Sequence, residues 1–156
     1  MNRRFGHLTR MPVDILVSCT MHFNTKGAGF LDITQDVRDF AASCGAAEGQ
    51  ITLFVRHTSA SLTIQENADP DVLADLTTAL MRLAPDHAGW LHVTEGPDDM
   101  PAHIKSMLTA TTMSVPVIGG ALMLGTWQGI YLIEHRARPH RREVVAQFLG
   151  AAASAS

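Results

Sequence analysis

Three histidines carry the side chains of this sequence that are best suited to chemistry. His57 continues the buried face of a strand that the alternation of residues 50–58 predicts, while His92 and His103 flank an acidic loop containing glycine and proline. Three neutral imidazoles plus water form a typical open zinc site. The separations, 35 residues from His57 to His92 and 11 from His92 to His103, match no local zinc motif, so a structural role for each histidine stays open. We expect the three to converge on one divalent, zinc-like metal.

A second group of polar residues lies on one predicted strand face near the C-terminus. Parity places Thr126, Gln128, Glu134 and Arg136 on the same side of residues 121–136. Polar groups inside a β-rich core need partners, either in the protein or in a ligand. Arg136, together with Arg142, is suited to bidentate recognition of phosphate or carboxylate. The alternative is an edge strand whose charges are solvated.

Further donors and acceptors adjoin His57 and the next predicted strand. Thr58 and Ser59 offer hydroxyl and amide donors directly after the histidine. Glu66 and Asn67 stand just before a capped helix, where either could orient a metal-bound histidine through its second ring nitrogen.

The elements that must position these residues indicate an α+β fold. We expect a single domain over residues 1–150, with a mostly antiparallel β core, two to three helices packed on it, and a disordered tail at 151–156. Asp69 and Pro70 predict the start of the clearest helix. The predicted strands are residues 13–21, 30–33, 50–58, 61–66, 113–118, 121–136 (broken near Gly125) and 142–149, and the predicted helices begin near residue 34 and cover 70–83 and 102–108.

Composition excludes several classes of protein. The chain has 156 residues, of which 46% are hydrophobic and 17% charged, so it is long enough for one globular core. Its net charge of −3 provides no basic field for nucleic acid, and no apolar run is long enough to cross a bilayer. The two cysteines form no CxxC pair, and the N-terminus lacks a convincing secretory signal. We expect a cytoplasmic protein with neither nucleic-acid nor membrane partners.

Five blocks of this sequence resemble the YjbQ-like family, whose members are often labelled secondary thiamine-phosphate synthases. The blocks are RHTSASLT at 56–63, ENADP at 66–70, DDMPAHIKS at 98–106, GTWQGI at 125–130 and EHR at 134–136. They occur in this order across most of residues 50–142, and the N-terminal third is similar only in pattern.

The resemblance implies a homotrimer with a histidine-lined pocket and a weak transferase activity of the thiamine-phosphate-synthase type. That reaction joins a hydroxymethylpyrimidine diphosphate to a thiazole phosphate, so the expected partner is a small phosphorylated molecule. Two other functions stay open: a non-catalytic trimeric module that binds a ligand or metal, and a metal-dependent hydrolase of small esters. The resulting assignments are Glu66, Gln128 and Glu134 as catalytic residues, Thr58, Ser59, Asn67, Lys105, Thr126, Arg136 and Arg142 as substrate-binding residues, and His57, His92 and His103 as metal ligands.

Overall fold

The computed structural model describes residues 10–153, which form eight strands and three helices. In chain order they are β1 (Ile15–Asn24), β2 (Gly29–Asp32), α1 (Thr34–Ser43), β3 (Ala46–Val55), β4 (Ala60–Glu66), α2 (Pro70–Leu83), α3 (Asp99–Leu108), β5 (Thr112–Ile118), β6 (Ala121–Leu122), β7 (Gln128–Glu134) and β8 (Arg141–Ala152). The predicted α+β class is confirmed.

The strands form two antiparallel sheets. One has five strands in the order β1-β8-β3-β5-β6, and the other has three in the order β2-β7-β4. In the large sheet β8 pairs with β1 on one side and β3 on the other, while β7 is central in the small sheet. The late strands β8 and β7 therefore lie inside their sheets, and β1, β2, β3 and β4 all pair with one of them.

The core lies on the inner face of the large sheet, where the predicted alternation holds. Ile51 and Leu53 of β3 are fully buried beside Ala146 and Phe148 of β8. Helix α1 packs Val37 into the same cluster. Burying a side chain of this size stabilises the fold by roughly 1.5–3 kcal/mol, so these side chains help to hold β8 against β3.

Helix α2 starts where the sequence predicts, and it packs only partly against the rest of the chain. The Asp69 carboxylate accepts a hydrogen bond from the Asp71 amide, and Pro70 occupies the first turn. No residue of the helix is fully buried, and Leu83 at its end is 67% exposed. The helix was expected to pack on the β core, and the structure covers it only in part.

Helix α3 begins three residues earlier than the sequence indicates. Pro101 was interpreted as lying before the helix, but it stands inside the first turn, where a proline costs no intrahelical hydrogen bond. The amide of Ala102 donates to the carbonyl of Asp98. This extra turn places Asp99 and His103 four residues apart on one helix face.

The C-terminal boundary also differs from the expectation. Strand β8 runs to Ala152, and Ala151 is 3% exposed, so the predicted tail begins too early. The small residues pair with β3, where Ala151 faces Glu48, which no hydrophobic pattern could show. Residues 154–156 lie outside the described residues. Among residues 10–153, no helix combines the length and apolar character that crossing a bilayer requires.

Candidate functional site

Two of the predicted metal ligands meet at the start of α3, together with a carboxylate. His92 Nε2 lies 2.7 Å from Asp99 Oδ2, and His103 Nε2 lies 3.6 Å from the same oxygen. The three ligand atoms all lie within 4.8 Å of one another. Asp99 is 2% exposed, whereas the His92 side chain is 48% exposed. The cluster is therefore closed by a buried carboxylate at its base and open on the side of His92.

Arg136 fixes the orientation of the Asp99 carboxylate. Its Nη1 donates to Asp99 Oδ1 at 2.5 Å, its Nε donates to Asp98 Oδ2 at 3.1 Å, and its Nη2 donates to the carbonyl of Glu95 at 2.8 Å. Burial by itself would lower the pKa of Arg136, but hydrogen bonds and charge from Asp98, reinforced by Asp99 and Glu95, raise it. This guanidinium is thus a fixed internal cation, and its engagement argues against the predicted contact with a substrate phosphate.

The second ring nitrogen of His103 defines its tautomer. Nδ1 lies 3.0 Å from the carbonyl oxygen of Thr58, which can only accept a hydrogen bond. Nδ1 therefore carries a proton, and Nε2 is the ring nitrogen that faces Asp99. A carbonyl that orients a histidine in this way is a common second-layer feature of metal sites. Thr58 thus acts on His103 through its backbone carbonyl, and the role of its hydroxyl that the sequence suggested stays a prediction.

His57 lies outside this cluster. Its Nε2 accepts a hydrogen bond of 2.8 Å from the amide of Glu143 on β8, so the lone pair of this ring nitrogen is already engaged. Burial, followed by the charge of Arg142, lowers the pKa of His57. The structure therefore brings together two of the three predicted histidines, with Asp99 as the third group. The signal for Asp99 was its i,i+4 spacing to His103, which only an earlier helix start reveals.

Glu134 and Arg142 form a buried ion pair beside the end of β7. Arg142 donates from Nε to Oε2 at 2.7 Å and from Nη2 to Oε1 at 2.5 Å, while Thr25 also donates to Oε2. Arg142 Nη2 reaches the hydroxyl of Ser59 at 3.1 Å. Glu134 is 2% and Arg142 4% exposed. Their predicted roles in catalysis and phosphate binding are not supported by this geometry, because each is enclosed and satisfied by the other.

The remaining predicted residues stand at the opposite end of the small sheet. In the register of β4 and β7, Ala60 faces Glu134 while Glu66 faces Gln128. The six steps along the strand from Ala60 to Glu66 span about 20 Å at the rise of a β-strand. The Asn67 amide donates to the carbonyls of Thr126 and Gln128, and Gln128 Oε1 accepts from the Gly125 amide. Within one chain, the residues predicted to line a single pocket therefore lie in two separate regions.

An open cleft of about 590 Å³ adjoins the histidine cluster. Its lining includes Arg56, His57, Thr58 and Ser59, and the Thr58 carbonyl that holds His103 connects it to the cluster. Lys105, which was grouped with these residues, lines a different cleft beneath α2. A ligand in the open cleft would lie against His57, Thr58 and Ser59, and the link to the cluster is the Thr58 carbonyl that holds His103.

Fold and sequence together define the class of this protein. The family model described as UPF0047 protein YjbQ-like matches residues 19–151, and the chain belongs to that family. A UPF0047 protein of Synechocystis sp. is 50% identical over 127 residues, which cover 81% of this chain and 86% of the relative. The UPF0047 protein YjbQ of Salmonella typhimurium is 42% identical over 132 residues, covering 84% and 96% of the two chains.

Solved structures show the same architecture. A conserved hypothetical protein from Thermus thermophilus superposes with a TM-score of 0.72 at 38% identity, covering 81% of this chain and 97% of that one. A YbjQ-like protein of unknown function from Sulfolobus solfataricus gives a TM-score of 0.78 with 88% and 100% coverage, and its 23% identity bears on the fold alone.

Proposed function

We propose that this protein is a small cytoplasmic enzyme that acts on a phosphorylated small molecule at a divalent-metal centre formed by His92, Asp99 and His103. The observation that carries the proposal is the convergence of two imidazole nitrogens and one carboxylate oxygen within 4.8 Å. Two histidines and one carboxylate are a ligand set used by catalytic zinc and iron sites, which leave positions open for water or substrate. The exposed side of His92 supports such an opening.

The residues around the cluster support a built metal site over a chance grouping. Asp99 is buried and anchored by Arg136, and His103 is held by the Thr58 carbonyl. Nitrogen and oxygen donors of this mixture suit zinc-like ions. A divalent ion bound here would neutralise phosphate charge and polarise the bond to be broken. The chain itself would contribute the hydroxyls of Thr58 and Ser59 to position the ligand.

Metal analysis tests this proposal directly. The purified protein should carry about one zinc-like ion per chain after mild metal loading, and His103→Ala should weaken binding by about 100-fold or more because it removes a direct ligand. His87→Ala is the matched control, since His87 is an exposed histidine outside the cluster. Equal metal content in all three proteins would overturn the metal centre.

The type of reaction follows from a second assay on the metal-loaded protein. We propose a thiamine-phosphate-synthase-type transfer, in which pyrophosphate is released only when the pyrimidine diphosphate and the thiazole phosphate are both present. Release that disappears in His103→Ala supports the transferase. Cleavage of simple esters without that transfer would instead identify a metal-dependent hydrolase. Bound metal with neither reaction would identify a non-catalytic binding module.

We also propose that the chain assembles as a homotrimer. The outer face of the large sheet exposes Leu16, Phe54 and Leu149, and Leu16 and Leu149 are direct cross-strand neighbours. Burial of such a surface between copies would remove apolar area from water. Light scattering should give three chains per particle, and Phe54→Glu should dissociate it. Leu91→Glu, at a residue that is 99% exposed in a loop, should leave it intact. A monomer in the unmodified protein would contradict the proposal.

A further inference from the structure

A narrow cleft separates α2 from the small sheet and lies apart from the histidine cluster. Phe30, Leu80 and Ile133 form part of its mostly apolar walls, and the exposed Met81 stands at its rim. None of the residues of the His92–Asp99–His103 cluster lines it. Lys105, a residue of α3, is the one lysine or arginine that lines this cleft.

Lys105 is 92% buried by neighbouring residues, since only 8% of it is exposed. Among residues 10–153, the structure assigns its Nζ no hydrogen-bond acceptor and no carboxylate within 4.0 Å. Every fully enclosed side-chain nitrogen and oxygen in these residues does have a partner. The Lys105 Nζ therefore retains some accessible surface, and the Lys105 side chain lines the cleft.

The polar neighbours of Lys105 do not neutralise it. Both carboxylate oxygens of Glu134 are engaged by Arg142, with further hydrogen bonds from Thr25 and from the amide of Arg136. His135 is uncharged at neutral pH, because burial and the positive charge of Lys105 lower its pKa to about 4. Its Nε2 lies 2.8 Å from the Ser61 hydroxyl. The cleft thus ends in one largely buried positive charge without an anion of its own.

We propose that this cleft is a second binding site, specific for a small organic carboxylate whose charge meets Lys105 and whose apolar chain lies against Phe30, Leu80 and Ile133. A monoanion suits one ammonium group with a satisfied Glu134 carboxylate nearby, whereas a phosphate dianion would be repelled by that carboxylate. Burying the chain contributes the hydrophobic part of the affinity, and the ion pair contributes the selectivity. The proposal does not depend on the metal centre.

Titration with butyrate tests the site, with the methyl resonances of Met81, Leu80 and Ile133 as the readout. Butyrate should shift them saturably, and 1-butanol should bind about tenfold more weakly because it lacks the charge. Inorganic phosphate should leave these methyl groups unchanged. Equal binding of butyrate and butanol, or competition by phosphate, would overturn the carboxylate specificity.

Two sets of variants locate the charge. Lys105→Met should bind butyrate no better than butanol, because the substitution removes the preference for the charged ligand and leaves the apolar contacts. Because Lys105 is buried, two variants of the exposed Met81 provide a test that folding does not affect. Met81→Glu should weaken butyrate binding several-fold, whereas Met81→Gln, which has the shape of glutamate without its charge, should not. Butyrate affinity that is equal in the two rim variants would refute the site, as would an unchanged preference in a folded Lys105→Met.

Discussion

Replacing Glu134 by glutamine isolates the contribution of the buried ion pair at the end of β7. The side chain keeps its shape, but Arg142 loses the carboxylate that accepts two of its hydrogen bonds, and both residues are less than 5% exposed. Breaking a buried pair by removing one partner costs roughly 3–5 kcal/mol. Since the glutamine oxygen still accepts one bond, and Ser59 still accepts from Arg142, we expect about 3 kcal/mol.

Urea unfolding at pH 7 measures this loss. The midpoint should fall with an unchanged m-value, and the melting temperature should drop by about 6–12 °C for a chain of this length. Glu143→Gln is the control, because Glu143 is 37% exposed in its side chain and pairs only with surface groups such as Arg56. That change should cost less than about 0.5 kcal/mol. If both variants lose the same stability, the buried pair is not the stabilising contact we infer.

The pH dependence gives a second check on the same residue. Burial would raise the pKa of Glu134, but hydrogen bonds from Arg142, from the Arg136 amide and from Thr25 outweigh it and lower the pKa below 4.5. A carboxylate with a lowered folded pKa stabilises the protein fully above its unfolded value and loses that contribution as the pH falls. The difference between the native protein and Glu134→Gln should therefore shrink below about pH 4.5. A constant difference would refute the linkage.

Two further predictions concern other buried positions. Burial lowers the pKa of His135 from 6.5 to about 4 in the folded chain, so the free energy of unfolding should fall by up to roughly 3 kcal/mol as the pH drops from 6.5 to 4. His135→Gln should flatten this pH dependence, and equal slopes for the two proteins in urea unfolding would contradict the prediction. A Cβ on Gly150 would stand 2.1 Å from the carbonyl oxygen of Glu48 and 2.8 Å from the Cα of Gly49, so Gly150→Ala should lower the free energy of unfolding by about 3 kcal/mol or more. In the control Gly125→Ala, the new Cβ meets only the Gln128 side chain at 3.4 Å, so this variant should unfold in urea close to the native midpoint.

The fold was predictable where its signals are local. Alternation in β3 follows from the period of a strand, and the start of α2 follows from the cap that Asp69 and Pro70 provide. The end of β8 was not predictable in this way. Ala151 and Ala152 have no apolar pattern, and they are ordered by pairing with β3, which lies about a hundred residues earlier in the chain.

The site was predictable in its residue types and less so in its partners. His92 and His103 do meet, but no pattern in the sequence shows that an amide of β8 holds His57. Charged residues were assigned to a ligand because strand alternation does not identify their counterions. Glu134 pairs with Arg142 eight residues later, and Arg136 pairs with Asp98 and Asp99 some 37 residues earlier. The alternation along a strand shows which face carries a charged residue, but only the tertiary structure shows which counterion neutralises it.

The two oxygens of Asp99 connect the structural and the functional parts of this region. Oδ1 accepts from the buried Arg136, while Oδ2 faces both His92 and His103. Because Arg136 also holds Asp98 and the Glu95 carbonyl, it ties the loop before α3 to the strand end that carries it. A carboxylate fixed on one side by a permanent cation loses little freedom when its other oxygen binds a metal. The ion-pair network therefore holds one carboxylate oxygen in place beside the two histidines, where the proposed metal would bind.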